Sequence, residues 1–366
     1  MKKNNWRIYS SEQAEIIFVN SCSFIKKKEE EFLRLLSKKF SEKKDFQKLA
    51  VFGCLPATST EKIAQISPEI IQFNRDLSKI TEYFGLKSYS MSVNFTNNER
   101  LSSRESAILF INKYFLRDPG IKYRLKKDEI FHLKISDGCQ GECSYCSERF
   151  TTLFKSRRIA EVMRAFNKGI GAGYRLFVLN ADDTAAFGAD NSEDITQLLA
   201  GILSSSISFH LAISEFNPRG LFIDGISQLL SDPRIIYITV PIQSGSDDIL
   251  KKMKRPYQIA PVMDKIIDLK RLNPKLKINT HIIVGFPGES DEDFQQTANM
   301  IRFGLFDRIK VFEYSDRPGT EASRLVQKTP PVIIRKRRNI IFRRMLISNI
   351  KQRSISNILL NSKTLS

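Results

Sequence analysis

The amino-acid sequence predicts an α/β protein whose larger part is a parallel sheet or partial barrel of six βα units. From residue 131 onward, short runs of β-branched and other apolar residues recur, and such near-continuous apolar runs are typical of strands covered on both faces. Segments with apolar residues at helical spacing separate them, as in 157–170 and 261–272. This alternation favours parallel strands with crossover helices, a fold in which chemistry gathers at the carboxyl ends of the strands. The six predicted strands span 131–136, 174–180, 208–214, 235–241, 277–285 and 308–314.

A smaller α/β unit precedes this region. Apolar runs at 14–20 and 48–54 flank a charged helical segment, which predicts two strands and a helix. After residue 331 the chain contains nine basic residues and no acidic one, with apolar residues at helical spacing, which predicts a basic amphipathic helix. The predicted organisation is a small α/β domain at 1–86, a polar linker at 87–128, a core domain at 129–328 and a basic C-terminal helix at 329–366.

The composition is that of a globular, strongly basic protein. The 366 residues are 42% hydrophobic, and 58 Lys and Arg residues against 40 Asp and Glu residues give a formal net charge of +18. Disordered and collagen-like chains are excluded by that composition. Because no secretory signal or membrane-spanning run is present, we expect a cytoplasmic protein without membrane contact. The positive charge favours an RNA or a ribosome-associated target, although charge runs are also typical of solvated or packed helices.

Five cysteines occur, and three of them form a C-x3-C-x2-C loop directly after the first strand of the predicted barrel. An odd number of cysteines without a signal segment argues against a disulfide framework, so we expect them to be reduced, metal-bound or catalytic. Cys139, Cys143 and Cys146 can hold one face of an iron–sulfur cluster, which leaves one iron open to an external ligand. The alternative, a structural zinc site, requires a fourth Cys or His at close spacing. His132 is near in sequence but lies inside a predicted strand, so the cluster is favoured.

This loop resembles that of the radical S-adenosylmethionine (radical SAM) enzymes in its spacing, its position after the first strand and the aromatic Tyr145 before the last cysteine. The resemblance implies a radical SAM partial (βα)6 barrel preceded by a small, truncated α/β domain. It also implies a 4Fe-4S cluster whose open iron binds the amino and carboxylate groups of SAM. A reductant such as flavodoxin or ferredoxin would supply the electron that cleaves SAM to a 5′-deoxyadenosyl radical, which abstracts hydrogen from the substrate.

Five further segments resemble the methylthiotransferase family of that superfamily, in the family's order and across nearly the whole chain. They are VNSCSFIKKKEEE (19–31), VFGCLPA (51–57), VPIQSGSDDILKKMKRPY (240–257), VGFPGESDEDF (284–294) and VFEYSDRPGTEA (311–322). The resemblance implies an enzyme that inserts a methylthio group at a C–H bond of a tRNA base or a ribosomal-protein residue. Different segments of the chain resemble different branches of this family. Residues 133–139 and 182–188 look like the branch acting on an aspartate of a ribosomal protein, and 243–246 like those acting on a modified adenosine beside the tRNA anticodon.

In this family a second 4Fe-4S cluster in the N-terminal domain carries the sulfur to be transferred. Cys22 and Cys54 match two of its three cysteine ligands, and the segment that holds the third would precede residue 1. We therefore expect a cluster on two cysteines and a nonstandard ligand, no second cluster, or an earlier start of the protein. The sequence also stops where the family's RNA- or protein-binding TRAM domain would begin, so we expect the substrate to be recruited differently.

The resemblance places further residues at the cofactor site. Gln243, Ser244 and Ser246 would belong to the pocket for SAM and substrate, and Arg157 would contact the SAM carboxylate. The alternatives are a hydrogen-bonded loop for the first three and an exposed arginine at a helix start for the last. No residue is assigned to the hydrogen abstraction itself.

Two strand ends carry additional signals. At 181–183 the chain has Ala-Asp-Asp where the family has Gly-Gln-Asp or Ser-Gln-Asp, so a pocket amide is replaced by a carboxylate. After the fifth barrel strand, the glycines and proline of 285–288 fit a tight turn, and Ser290 with Asp293 fits a capping box that opens the next helix.

Two rival functions stay open at the level of sequence. The first is a radical SAM enzyme that has lost sulfur insertion and performs another hydrogen abstraction, on a peptide or a specialised metabolite. The second is a non-catalytic RNA-binding relic, which the intact cysteine loop argues against.

Overall fold

The computed structural model describes residues 13–21, 26–75, 77–85, 130–301 and 304–363. Their contacts divide the chain into two compact units, each discontinuous in sequence. The first consists of 1–92, 137–154 and 315–324, and the second of 93–136, 155–314 and 325–366. The predicted linker at 87–128 lies outside the described residues, and the predicted domain boundaries stay a prediction.

A three-stranded parallel sheet, in the order β1-β2-β3, forms the centre of the first unit. Its elements are β1 (Ile16–Ser21), α1 (Lys26–Glu42), β2 (Lys48–Gly53), α2 (Leu55–Thr58), α3 (Thr60–Ile66), β3 (Ile71–Phe73) and α4 (Leu77–Tyr83). The two strands and the helix predicted at the start of the chain are therefore present. Leu36 of α1 and Val51 of β2 are fully buried in one apolar cluster, which holds the helix on the sheet.

A six-stranded parallel sheet forms the second unit, in the order β11-β10-β9-β8-β7-β4. Its strands are β4 (Ile130–Lys134), β7 (Leu176–Asn180), β8 (His210–Ile213), β9 (Ile235–Thr239), β10 (Lys277–Val284) and β11 (Arg308–Glu313). Each of these strands lies beside the one before it in the chain, and β4 and β11 are the two edges of the described sheet. This sequential winding is that of a partial barrel, which confirms the predicted fold class. Two-residue strands, β5 (Ser136–Asp137) and β6 (Lys155–Ser156), flank the cysteine loop in the sequence.

Among the described residues of the second unit, seven helices accompany the strands. They are α5 (Ile159–Gly171), α6 (Ile195–Leu203), α7 (Ile226–Leu230), α8 (Asp247–Lys252), α9 (Ile259–Leu272), α10 (Asp291–Met300) and α11 (Pro331–Lys363). The predicted capping box opens α10. The N–H of Asp293 donates to Oγ of Ser290 at 3.1 Å, and the N–H of Ser290 donates to the Asp293 carboxylate at 3.0 Å.

The barrel strands present two chemically different faces. Outer-face residues such as Leu179, Ile213 and Ile282 are fully buried in one apolar core with the helices. The residues that alternate with them point to the inner face, and many are polar: His132, Lys134, Asn180, Tyr237, Thr239, Asn279, His281, Arg308 and Lys310. The expectation of apolar character on both faces is therefore wrong for the inner face, because that face lines the interior of the barrel rather than a layer of helices.

The basic C-terminal segment forms the predicted helix, α11, which packs on β10, β11 and α10. Pro331 is its first residue, a position where a missing N–H costs no hydrogen bond. Ile334, Ile341 and Met345 are buried in the core of the second unit. In the described part of the chain, no helix combines the length and apolar character that crossing a membrane requires.

Candidate functional site

The cysteine loop begins at a glycine that no other residue can replace without strain. Gly138 has φ +69°, and a Cβ there would lie 2.6 Å from the carbonyl oxygen of Leu153. The next glycine, Gly141, lies between two thiols: a Cβ on it would lie 3.2 Å from Sγ of Cys139 and 3.7 Å from Sγ of Cys143. The loop therefore brings these two sulfurs close to a stretch of backbone without a side chain.

Backbone hydrogen bonds shape the same loop. The N–H of Gly141 donates to Sγ of Cys139 at 3.2 Å, and the N–H of Cys146 donates to the carbonyl oxygen of Cys143 at 3.1 Å. Burial raises the pKa of the Cys146 thiol, and the nearby Cys143 and Glu148 raise it further. A thiolate at Cys146 would therefore need a positively charged group beside it to be stable.

The donor set of this loop suits an iron–sulfur cluster better than a single metal ion. Zinc holds its ligands at about 2.0–2.3 Å from one centre, which demands that at least three donors converge on a point. In the described residues, no group of three or more His, Cys, Asp or Glu side chains is arranged in that way. A cubane instead spreads its thiolate ligands over separate irons, and backbone N–H groups donate to its sulfurs, as Gly141 does to Cys139. The three cysteines fit such a group, and their assignment as its ligands stays a prediction.

Cys54 lies in the same compact unit, beside a carboxylate that sequence reasoning missed. It is placed by the turn from β2 into α2, and its Sγ donates to Oε2 of Glu148 at 3.6 Å. Nη1 of Arg75 donates to the same oxygen at 2.8 Å. The only sequence signal for Glu148 is an acidic residue two positions after Cys146. Cys22 lies outside the described residues, so the pairing of Cys22 and Cys54 at a second cluster stays a prediction.

A buried ion pair ties the first unit together around α1. Oε2 of Glu29 accepts from Nη1 of Arg317 at 2.8 Å, and Oε1 accepts from Nζ of Lys62 at 2.6 Å and from Oγ of Ser59 at 2.8 Å. Burial acts to raise the pKa of Glu29, but the hydrogen bonds from Lys62 and Ser59 and the charges of Lys62 and Arg317 outweigh it and leave that pKa lowered.

The segment that carries Arg317 also holds the cysteine loop. The N–H of Ala322 donates to the carbonyl oxygen of Ser144, between the second and third cysteines, at 2.8 Å. The conformation of the loop therefore depends on residues about 180 positions later in the sequence.

Gln243, predicted to line the cofactor pocket, holds an unused acceptor at the end of β9. Its φ is +74°, an uncommon value for a residue with a side chain. The neighbouring strand fixes it: the Gln243 N–H donates to the carbonyl oxygen of His281 at 2.8 Å, and the Ile283 N–H donates to the Gln243 carbonyl at 2.9 Å. The side chain is buried, and its Oε1 has no hydrogen-bond partner among the described residues. Such an atom normally has a partner, so a bound group is expected to supply one.

Ser244 and Ser246 form hydrogen bonds within a loop, which agrees with the alternative to a role in the cofactor pocket. Oγ of Ser244 lies 3.2 Å from Oγ1 of Thr297, and Oγ of Ser246 donates to Asp293 at 2.5 Å while it caps α8. Both serines are almost completely buried. Their part in the cofactor pocket stays a prediction.

Arg157 lies just before α5, and Asp183 follows β7 at the start of a short 3-10 helix. Arg157 is half-buried just before α5, and its guanidinium makes no hydrogen bond or ion pair with another described residue. Asp183 is buried, accepts from the N–H of Ala185 at 3.1 Å and from Asn217 at 3.2 Å, and has a pKa raised by that burial. Asp182, the carboxylate that replaces the family's amide, is half-buried beside it.

His281 occupies the middle of the inner face and is held neutral. Burial lowers its pKa to about 3, and the positive charges of Lys310, Arg308 and Arg255 act in the same direction. Its Nδ1 lies 3.5 Å from Oε2 of Glu215, a contact that is polar but is not an ion pair because the ring is uncharged.

The basic helix α11 divides into paired and exposed arginines. Arg337 is buried, with Nη1 at 2.7 Å from Glu289 and Nη2 at 2.8 Å from Asp291, and Arg338 pairs with Glu313 at 2.8 Å. Arg337 therefore agrees with the alternative of a packed helix, because Glu289 and Asp291 neutralise its charge inside the fold. RNA binding by the basic tail stays a prediction. The exposed side of the helix carries an open surface depression, called the basic groove below. It is lined by Val332, Arg335, Lys336, Asn339, Ile340 and Arg343.

Comparison with protein families gives two matches along the chain. Residues 133–301 match the Radical SAM superfamily, and residues 1–73 match a group described as Uncharacterized protein family UPF0004. The first match runs from the end of β4 through α10 and includes the cysteine loop. The second covers the sheet of the first unit.

Relatives named as methylthiotransferases align over most of this chain. A probable threonylcarbamoyladenosine tRNA methylthiotransferase from Pyrococcus abyssi is 28% identical over 340 residues, which cover 92% of this chain and 76% of the relative. A ribosomal protein uS12 methylthiotransferase, RimO, from Nitratiruptor sp. is 30% identical over 341 residues, covering 90% and 73%. Among solved structures, the cobalamin-dependent S-adenosylmethionine radical enzyme OxsB superposes with a TM-score of 0.52 at 12% identity, covering 90% of this chain and 48% of that one. That last likeness shows the fold alone.

Proposed function

The chain belongs to the radical SAM methylthiotransferase family, and from this premise we propose that it inserts a methylthio group at a C–H bond of threonylcarbamoyladenosine in a tRNA. Its family consists of transferases that use a 4Fe-4S cluster and SAM. The observation that carries the proposal is the loop of residues 139–146, which holds three thiols. The backbone N–H of Gly141 donates a hydrogen bond to Sγ of Cys139 within it.

The residues of this chain bind and orient the cofactors. A 4Fe-4S cluster bound at the loop supplies the electron for cleavage of SAM and an open iron for its chelation. Cys139, Cys143 and Cys146 would hold the cluster, and the guanidinium of Arg157 would receive the SAM carboxylate. Oε1 of Gln243 would accept a hydrogen bond from SAM or from the substrate. Tyr145, half-buried inside the loop, would help to keep water from the radical.

The choice of tRNA over a ribosomal protein rests on charge. A net charge of +18 attracts a polyanion. The basic groove on α11 presents Arg335, Lys336 and Arg343 to solvent, together with apolar side chains on which bases can pack.

Sulfur transfer requires a second cluster in the first unit, and we assign Cys22 and Cys54 to it. Cys54 is half-buried at a helix start and contacts the carboxylate of Glu148, so an oxygen ligand lies beside this thiol. Anaerobic reconstitution with iron and sulfide is expected to give about eight irons per chain in the wild type and about four in Cys54→Ala. About four in the wild type would contradict sulfur transfer and favour the rival that only abstracts hydrogen.

Activity is tested on the reconstituted full chain with SAM, a low-potential reductant and an anticodon stem-loop RNA that carries threonylcarbamoyladenosine. We expect 5′-deoxyadenosine and a nucleoside in which one hydrogen is replaced by a methylthio group, both detected by mass spectrometry. The matched control is a variant with all three loop cysteines changed to alanine, which should give neither product. A parallel reaction with ribosomal protein uS12 tests the second substrate class, and a methylthio product there alone would overturn the assignment to RNA.

Two further outcomes separate the rivals. 5′-Deoxyadenosine without a methylthio product on either substrate would indicate another hydrogen abstraction. No 5′-deoxyadenosine at all, from protein with a full iron content, would refute radical chemistry and leave an RNA-binding protein.

A further inference from the structure

The inner face of β4, β7 and β8 carries a chain of three polar side chains. Nδ2 of Asn180, the last residue of β7, lies 2.6 Å from Nδ1 of His132 in the middle of β4. The hydroxyl of Ser214, which follows β8, donates to the carbonyl oxygen of Leu179 at 2.8 Å and to Oδ1 of Asn180 at 3.3 Å. The chain therefore crosses three neighbouring strands close to their carboxyl ends, where such folds place their chemistry.

This hydrogen-bond pattern assigns the proton of His132 to one ring nitrogen. Because Oδ1 of Asn180 accepts from Ser214, the NH2 group of the amide faces the ring and donates to Nδ1. Burial lowers the pKa of His132, so the ring is neutral near pH 7. A neutral imidazole whose Nδ1 accepts has its proton on Nε2. His132 therefore offers one N–H donor, and its bond to the amide restrains the direction of that donor.

The Nε2 donor of His132 has no acceptor among the residues that the structure describes. The side chain is half-buried, and it lies on the face of β4 that lines the interior of the barrel. A partly buried N–H group is stabilised by an acceptor, and a bound molecule can supply one.

Apolar side chains of the same inner face lie beside this donor. In the parallel register, Val178 is the neighbour of His132, and Ala212 is the neighbour of Val178. Ile130 lies two residues before His132 on the same side of β4. All three apolar side chains are half-buried, so part of each is accessible to a ligand. A planar ring with an apolar face and a hydrogen-bond acceptor on its edge fits such a surface.

We propose that His132, oriented by Asn180, binds an adenine ring inside the barrel by donating from Nε2 to a ring nitrogen. Adenine has an apolar face, and its unsubstituted ring nitrogens accept hydrogen bonds. The inference rests in part on the proposed function, because two molecules of that reaction carry an adenine: SAM and the adenosine of the tRNA. Asn180 is a positioning residue of this subsite, since it acts on the ring of His132 and not on the adenine.

The test compares three variants of His132 in the reconstituted full chain. His132→Phe keeps a ring but removes both nitrogens, so it should bind the adenine-bearing ligand about tenfold more weakly, the loss of one hydrogen bond. His132→Gln brings an N–H donor near the position of Nε2 and should recover most of the affinity. His132→Asn is the matched control: its amide oxygen can accept from Asn180, but it brings no donor to the position of Nε2, so the affinity should stay low.

Two binding assays identify the molecule that carries the adenine. SAM binding is measured without RNA by equilibrium dialysis. Binding of an anticodon stem-loop RNA with threonylcarbamoyladenosine is measured by fluorescence anisotropy at saturating SAM. A loss in either assay supports the subsite, and the assay that shows it names the ligand. That assay is repeated with ligands whose adenine has C–H in place of N1, N3 or N7. One of them should bind the wild type about tenfold more weakly and leave the affinity of His132→Phe unchanged.

Asn180→Leu tests the positioning role. It removes the amide that orients the ring but leaves the ring in place, so we expect a smaller loss than in His132→Phe, about threefold. Combined with His132→Phe, it should cause no further loss, because the amide acts only through the ring. A loss in the double variant equal to the product of the two single losses would assign Asn180 a structural role instead.

The results that would overturn the subsite differ from those that would overturn the function. Unchanged affinity for both ligands in His132→Phe would refute the subsite. Recovery by His132→Asn but not by His132→Gln would also refute it, because it would show that the bond to Asn180 alone matters. Neither result touches the proposed function while methylthio product forms on the RNA. Absence of that product, with SAM binding that depends on His132 as described, would refute the function and leave the subsite standing.

Discussion

Replacing Arg337 by methionine removes one half of a buried ion pair and is expected to destabilise the protein strongly. Arg337 is 5% exposed, and the side chain of Glu289, 2.7 Å away, is fully buried. Without the guanidinium, the described hydrogen-bond donors to this carboxylate reduce to the N–H of Gly285 at 2.7 Å. Breaking a buried pair by removing one partner costs about 3–5 kcal/mol, so Arg337→Met should lower the free energy of unfolding by that amount.

The loss should also depend on pH in a defined direction. Burial raises the pKa of Glu289, opposed by the Gly285 N–H and by Arg337. A carboxyl whose folded pKa is raised contributes stability that is present below its unfolded pKa and lost as pH rises through the folded pKa. Removing Arg337 raises the folded pKa further, so the variant should be destabilised less at about pH 5 than at about pH 7.5.

The assay is urea unfolding followed by circular dichroism at both pH values. Arg335→Met is the matched control: it removes an exposed arginine two residues earlier on the same helix and should change stability by less than about 0.5 kcal/mol. Adding Glu289→Gln to Arg337→Met removes the unpaired charge and should recover part of the loss. A cost below about 1 kcal/mol for Arg337→Met, or a cost independent of pH, would refute the reasoning.

Three further outcomes are expected. Gly138→Ala should reduce iron bound after reconstitution, since its Cβ would meet a carbonyl oxygen at 2.6 Å, whereas Gly171→Ala, with nothing within 4 Å, should bind iron like the wild type; equal iron in both would contradict the loop geometry. Glu29→Gln should cost about 3 kcal/mol at neutral pH and progressively less toward acid, because the lowered pKa of Glu29 gives stability that is lost as pH falls through the folded pKa; unfolding curves that stay parallel from neutral to acidic pH would speak against it. Arg343→Gln should weaken binding of tRNA and make log Kd less dependent on log salt by about 0.7–0.9, one phosphate contact, and an unchanged slope would remove the basic groove from the RNA surface.

Local sequence patterns predicted much of this fold. The six apolar runs correspond to the six strands of the barrel, because residues buried on the outer face of each strand must be apolar and recur at regular spacing. The capping box at Ser290 and Asp293 was also readable, since both partners lie three residues apart. The cysteine loop is equally local, with its thiols and glycines inside one short stretch of chain.

Partners distant in sequence were not predictable in the same way. In the sequence Arg337 is one of several charges in a basic run, yet it forms an ion pair with Glu289, 48 residues earlier. Arg75 lies 73 residues from Glu148 and Arg317 lies 288 residues from Glu29, so no periodicity connects them.

The sequence by itself determined the fold class, the iron–sulfur loop and the family, because strand periodicity and ligand spacing are properties of short segments. Only the tertiary structure decided which charged side chains form ion pairs inside the protein and which stay exposed to solvent. Arg337 shows the reason: its place in a basic run is visible in the sequence, but its pairing with Glu289 and Asp291 depends on how α11 packs on the barrel.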